Sequence, residues 1–343
     1  MKYLILFIGA ICILGCKDDV IQSNTHNHTH LIITTNGFPS MRVPDNNPLT
    51  VEGVELGRKL FYDPILSGDS TQSCASCHQQ EHAFSDPNQF SIGIDGFPGT
   101  RNASAIVNAG WLSSAFWDGR SPSLEDQAEG PVENPIEMHE DWTNVILKLN
   151  NHKDYPAYFN SAFSQVTITK ELVTMAIAQF ERTLISDKSN FDLSLKGNYN
   201  LTPLEAAGFN IFFSETGECF HCHGQPLFTD NDFHNNGLDV ISSDIGYEDV
   251  TGNNFDRAKF RTPTLRNIEF SAPYMHDGRF NTLEEVIDFY SDSVKFSSTL
   301  DPVMTANVTS FNLTPLEKLQ LLAFLKTLSD TTFINNPDFG NPW

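Results

Sequence analysis

Basic side chains are scarce in this chain: 21 Lys and Arg stand against 43 Asp and Glu over 343 residues, giving a formal charge of −22. That deficit argues against a nucleic-acid partner, whose phosphates need cationic groups, and makes a basic partner the better expectation. The chain also lacks the low-hydrophobicity profile of a disordered protein, since 40% of it is hydrophobic and 19% charged, so it is expected to fold. A membrane-spanning run is missing too. Tyr3–Leu14, behind Lys2, is apolar but too short to cross a bilayer, and has the charged start and short apolar core of a secretory leader. Cysteine is sparse, with six residues in all. Cys12 lies in the leader and Cys16 ends the string Ile13-Leu14-Gly15-Cys16, which resembles a lipobox. The expectation is an exported lipoprotein with leader 1–16, lipidated at Cys16 and tied to a membrane through that lipid alone. Lys17-Asp18-Asp19 resembles an export tag of some surface lipoproteins, and the periplasmic and cell-surface leaflets stay open.

The four remaining cysteines fall into two pairs, Cys74-Ala75-Ser76-Cys77-His78 and Cys219-Phe220-His221-Cys222-His223. Each is a C-x-x-C-H motif, in which two thiols add to the two vinyl groups of one haem and the adjoining His becomes the proximal iron ligand. A disulfide, a redox pair or a four-Cys zinc site are the alternatives. Two such motifs in an exported chain favour two covalently bound haem c groups. The flanks repeat as well: Gly57-Arg58-Lys59-Leu60-Phe61 against Gly208-Phe209-Asn210-Ile211-Phe212, and Phe84-Ser85-Asp86 against Phe228-Thr229-Asp230. A length of 343 residues suits two domains. Residues 17–40 read as a flexible tether, 41–197 as an N-terminal and 198–335 as a C-terminal haem domain.

The fold class expected is mainly α, two cytochrome c-like domains with long loops between helices. Apolar spacing predicts helices over Leu49–Phe61, with Thr50 as N-cap, and over Glu171–Leu184. Thr202-Pro203-Leu204-Glu205, Thr282-Leu283-Glu284-Glu285 and Thr314-Pro315-Leu316-Glu317 read as helix starts. The Gly-, Pro- and Asn-rich stretches 86–140 and 224–281 are longer than ordinary loops and are expected to wrap cofactors.

Four further strings carry a resemblance. Phe116-Trp117-Asp118-Gly119-Arg120, Asn134-Pro135-Ile136-Glu137-Met138, Thr262-Pro263-Thr264-Leu265-Arg266-Asn267 and Ala272-Pro273-Tyr274-Met275-His276-Asp277-Gly278, together with the two haem motifs, resemble the bacterial di-haem cytochrome c peroxidases, including the MauG branch. The resemblance spans about Asn47 to Leu328. It implies reduction of hydrogen peroxide at the first haem, with electrons from a small redox protein such as a cytochrome c or a cupredoxin. A MauG-like oxidation of a partner protein and a non-enzymatic electron carrier are the other readings.

By the same resemblance, Glu137 is the acid–base catalyst, Gln127 hydrogen-bonds the bound oxygen, Pro131 shapes the distal pocket and Trp117 carries electrons between the haems. Asn102, with the carbonyls of Ser271 and Pro273, would hold a calcium ion, an oxygen-rich site suited to a hard cation. His78 and His223 would be the proximal ligands. The sixth ligand of the second haem falls on Tyr290, with Met275 as the alternative. His82, His139, His221, His234 and His276 are expected to be structural. Many members of the family cap the oxidised first haem with a loop His that reduction must dislodge; here that position, within Phe90-Ser91-Ile92-Gly93-Ile94-Asp95-Gly96, reads Ile94.

Overall fold

A computed structural model describes residues 28–35, 37–306 and 311–343. Cys16, Lys17-Asp18-Asp19 and His26 lie outside the described residues. The described chain is mostly helical, and its one sheet is a two-residue antiparallel pairing of Phe233–His234 with Phe260–Arg261. Among the described residues no helix is long and apolar enough to cross a membrane.

Local signals set the helix starts. The Thr50 hydroxyl accepts from the Gly53 N–H at 3.0 Å and opens the helix Val51–Tyr62. Helices Pro203–Phe212, Leu283–Asp292 and Pro315–Lys326 each begin with a reciprocal capping box, made by Thr202 with Glu205, Thr282 with Glu285 and Thr314 with Glu317. Such caps contribute about 1 kcal/mol each. The helix expected over Glu171–Leu184 runs from Lys170 to Glu181. It stops there because the chain turns over, and the Leu184 carbonyl accepts from the Asn108 N–H at 2.9 Å instead of continuing the helix.

Two helix pairs organise the molecule. Val51–Tyr62 packs on Lys170–Glu181, and Pro203–Phe212 packs on Pro315–Lys326. Both contacts are backbone-close at a glycine: a Cβ on Gly57 would lie 1.8 Å from the Ala176 carbonyl oxygen, and one on Gly208 would lie 1.9 Å from that of Gln320. The pairs sit in separate apolar cores. One gathers Leu56, Leu60, Val145 and Phe159, the other Phe191, Phe212, Phe228 and Phe324. Residues 28–35 of the expected tether are anchored, for Leu31 N–H donates to the Leu49 carbonyl and Val51 N–H to that of Thr29, both at 2.9 Å. His28 meets the Ser164 hydroxyl at 3.2 Å.

Candidate haem sites

Each C-x-x-C-H motif closes one tight turn. Cys74–Cys77 is a single helical turn behind Ser73, and the His78 N–H donates to the Cys74 carbonyl at 3.0 Å. In the second motif Cys219–His221 forms a 3-10 turn, and the His223 N–H donates to the Cys219 carbonyl at 2.9 Å. This second turn brings Cys219, Cys222 and His223 to one cleft. The two imidazoles are then fixed identically: Nδ1 of His78 bonds the Phe84 carbonyl at 2.9 Å, and Nδ1 of His223 bonds the Phe228 carbonyl at 3.0 Å. With Nδ1 engaged, Nε2 is the nitrogen left for an iron, and the backbone acceptor fixes tautomer and ring orientation. Burial lowers the pKa of both histidines, which favours the neutral, ligating form.

The residues around the second motif fit a haem. A cleft with mainly apolar walls, including Phe212, Leu265 and Leu321, has Cys219, Cys222 and His223 in its lining together with Tyr290 and Met275. Asn236 joins the last two, its amide nitrogen standing 3.0 Å from Tyr290 Oη and 3.7 Å from Met275 Sδ. Both candidate sixth ligands therefore belong to this cleft. Burial pushes the Tyr290 phenol up to about 12, against the opposing Asn236 bond.

At the first motif, burial pushes the Cys74 thiol up to about 12, with the carboxylates of Glu181 and Glu137 among the smaller causes, and Glu137 acts in the same sense on Cys77. Glu137 thus belongs to the surroundings of the first motif. Its own carboxyl is raised by burial and pulled back by a 2.7 Å hydrogen bond from the Asn134 amide and by the charge of Arg120. Gln127 ends the one-turn helix Leu124–Gln127, capped by Ser123, and Pro131 lies in the next turn, Gly130–Glu133. The Pro131 carbonyl accepts from Met138 N–H at 3.1 Å, folding the Glu137 segment back over that turn. The Ile94 N–H donates to the Glu137 carbonyl at 3.0 Å.

Trp117 stands where the halves meet. Its indole N–H donates to the Asn102 carbonyl at 2.9 Å, the Asn102 N–H donates to the His276 carbonyl at 2.8 Å, and the Arg261 N–H donates to the Trp117 carbonyl at 2.8 Å. Trp117, Asn102, Ser271 and Pro273 all line the cleft of the second motif. The Asn102 amide nitrogen is committed to the carbonyls of Asn88 and Gln89, at 3.0 and 3.2 Å, so its oxygen is the atom suited to a cation. His276 stacks on Phe260, with centroids 3.7 Å apart. His139 pairs with Asp95 and His221 with Glu218. His234 is more than a turn residue: Asp301 and Asp230 hold its two nitrogens at 2.6 and 2.9 Å and push it up to about 12.

The structure also shows a repeat longer than the motif flanks. Ala115–Ser121 and Tyr274–Phe280 each close through an antiparallel bridge around Asp-Gly-Arg, with positive φ at Phe116 and Met275 and at Gly119 and Gly278. In this register Trp117 matches His276, and Ser123-Leu124 matches Thr282-Leu283. Counting on along the following helices, Pro131 occupies the position of Tyr290. A proline has no side-chain donor for iron, so the first site lacks at this position the group that the second possesses. The shared Asp-Gly-Arg was the sequence signal for this equivalence.

A family model described as di-haem cytochrome c peroxidase matches residues 51–200. The methylamine utilization protein MauG of Methylophilus methylotrophus is 32% identical over 292 residues, covering 84% of this chain and 86% of that protein. Cytochrome c551 peroxidase of Nitrosomonas europaea is 35% identical over 303 residues, covering 86% and 84%. A crystal structure of a MauG-like protein associated with microbial copper homeostasis superposes with a TM-score of 0.85 at 37% identity, covering 90% of this chain and 98% of that one. With relatives this similar over most of its length, and a doubled site built to hold c-type haem, the chain belongs to the di-haem cytochrome c peroxidase family and is an oxidoreductase of the peroxidase class.

Proposed function

We infer that this protein reduces hydrogen peroxide to water at the site of the first motif, drawing two electrons from a small redox protein such as a cytochrome c or a cupredoxin through the site of the second. The half-buried Glu137 carboxyl, its pKa raised by burial and its charge felt by both Cys74 and Cys77, carries this reading. Residues 41–197 form the peroxidatic unit and 198–335 the electron-transfer unit. Cys74, Cys77 and His78 hold one haem, and Cys219, Cys222 and His223 the other. When bound, the haems would supply the one-electron redox chemistry from which the two-electron reduction of peroxide is assembled.

The chain's own groups manage the protons and the path. Splitting H2O2 into two waters consumes two protons with the two electrons, and one proton must move from the near oxygen to the far one. A carboxylate set in an apolar surround, with a raised pKa, can accept that proton and return it. Glu137 performs this transfer, and the Asn134 amide keeps its carboxyl oriented. Gln127 orients the peroxide oxygen. Trp117, hydrogen-bonded to Asn102 and backbone-bonded to Arg261, is the aromatic bridge for electrons between the halves. Asn102 Oδ1 with the Ser271 and Pro273 carbonyls binds one calcium ion. Tyr290 would be the side chain that ligates the second iron, and a Cys16 lipid would keep the exported protein at a membrane.

A MauG-like oxidation of a partner protein is the second reading, favoured by Tyr290 Oη standing in the cleft of the second motif. One experiment separates them. The intact protein should carry the mass of two haems, keep its colour on a denaturing gel and turn over peroxide with reduced cytochrome c. A single haem, or zinc in its place, would overturn both readings; two haems without turnover would favour the partner-modifying one.

A further inference from the structure

The carbonyl that orients each proximal histidine belongs to a phenylalanine in the left-handed region: φ is +58° at Phe84 and +54° at Phe228. Side chains with a Cβ adopt that conformation only when their surroundings hold them there. Each carbonyl serves two donors. Phe84 accepts from His78 Nδ1 and from the Ile106 N–H, and Phe228 accepts from His223 Nδ1 and from the Leu265 N–H. Backbone bonds hold part of the first turn, where the Phe84 N–H donates to the Gln79 carbonyl at 2.8 Å, and the packing of the ring supplies a further restraint in both.

That packing is exchanged between the halves. Part of each cover is local: Phe61 meets Phe84 at 5.9 Å, and its counterpart Phe212 meets Phe228 at 5.9 Å. Phe213 and Phe324 also lie against Phe228, both at 6.4 Å. A further edge-on contact on each ring comes from a segment that belongs, in chain order, to the other half and packs into the ring's own apolar core. Phe191, in the short helix Asn190–Leu195 that follows the first half's helix pair, meets Phe228 at 5.4 Å and 77°. Phe333, in Thr331–Ile334 after the second half's pair, meets Phe84 at 5.7 Å and 73°. Both are about 1% exposed. Each half thus closes the other's proximal turn. The C-terminal segment is also strapped down: Gln80 donates to the carbonyls of Phe333 and Asn336, Arg58 to those of Pro337 and Gly340, and Tyr62 to that of Phe339.

We propose that Phe333 and Phe191 are reciprocal positioning residues, Phe333 holding the Phe84 carbonyl against His78 and Phe191 holding the Phe228 carbonyl against His223, so that each haem's proximal ligand is set by the opposite half. This rests on the reading that these histidines bind the haems, and the mass measurement tests that separately. Loosening the Phe333 ring lets the Phe84 carbonyl turn away. His78 then loses the stronger of its two backbone partners, Phe84 and Ser104, becomes a weaker base, and would stabilise ferric iron less.

The test uses the full chain with both haems, confirmed by mass, and reads the midpoint potential of each haem by spectroscopic redox titration with the iron–histidine stretch of the reduced protein. Phe333→Ala should raise the haem 1 potential and lower its iron–histidine frequency with haem 2 unmoved, and Phe333→Leu should largely restore both. Phe191→Ala should give the mirrored pattern at haem 2. Arg58→Ala, which leaves every core ring in place, should move haem 1 in the direction of Phe333→Ala by less, and answers the question should the core variants not fold. Equal shifts at both haems, or a lowered melting temperature with neither haem shifted, would overturn the exchange.

Discussion

Glu137 gives up its proton reluctantly, because burial disfavours the carboxylate more than Asn134 and Arg120 favour it. A base with a raised pKa becomes competent only as pH climbs through that value, so peroxide turnover should have an acidic limb lying above the ordinary carboxylate range. Glu137→Gln keeps the shape and the Asn134 contact but cannot carry the proton. It should lower kcat about 10²- to 10⁴-fold, remove that limb, and leave two haems on the mass spectrum; steady-state kinetics against pH would check all three. Tyr290 and Met275 pose a choice that geometry narrows without making, since Asn236 reaches both. A phenolate stabilises ferric iron where a thioether raises the potential. Tyr290→Phe should therefore change the haem 2 spectrum and raise its potential, and Met275→Leu should leave both alone; the opposite pattern would assign the ligand to Met275. At this scale the two C-x-x-C-H motifs were legible, because thioether chemistry demands a fixed spacing. The backbone acceptors at Phe84 and Phe228 were not, because a positive φ at phenylalanine leaves no mark in the sequence.

Helices were the most legible elements, since Thr-Pro-x-Glu states a start in four residues, and Pro203–Phe212 and Pro315–Lys326 begin as that signal says. Their partners were harder to see. The glycines at 57 and 208 permit close backbone approach, but which helix approaches is a tertiary fact. The short helix Asn190–Leu195 shows how much an inconspicuous element can hold. Its Asp192 receives two hydrogen bonds from the buried Arg266, at 2.9 and 3.0 Å, and bonds from Ser189 at its own N-cap. Burial alone would raise the Asp192 carboxyl, but Arg266 and Ser189 together hold it below its usual value. Asp192→Asn leaves Arg266 buried without its counter-charge and should cost about 3–5 kcal/mol, measured by denaturant unfolding at neutral pH. The sign with pH follows from the lowered value: the stabilisation is complete above the unfolded carboxyl's 3.8 and is lost as pH falls through the folded one. Wild type should lose stability along that acid limb, and the variant should be flatter across it.

For the whole molecule, the question is what must happen in one half before the other can react. In relatives that cap the oxidised first haem with a loop histidine, an electron arriving at the second haem has to release the loop. Here the loop holds Ile94, whose side chain cannot bind iron, and the loop is fastened to the distal segment itself. Ile94 N–H donates to the Glu137 carbonyl at 3.0 Å, and Asp95 pairs with His139. Gly93 is pressed so closely on this segment that a Cβ would come 2.3 Å from the Ile136 carbonyl oxygen and 2.8 Å from that of Glu137. Pro131, standing in the first half where Tyr290 stands in the second, offers no ligand atom at that position either. A loop bound to the Glu137 segment in this way holds that segment in place, with Asp95 engaged by His139 and Ile94 where a histidine would have to withdraw. The fully oxidised protein should accordingly show one high-spin ferric haem by electron paramagnetic resonance and react with peroxide before any electron is supplied. Two low-spin haems, with no peroxide reaction until one electron is added, would mean that another side chain supplies the sixth ligand of the first haem and that the lock persists without its histidine.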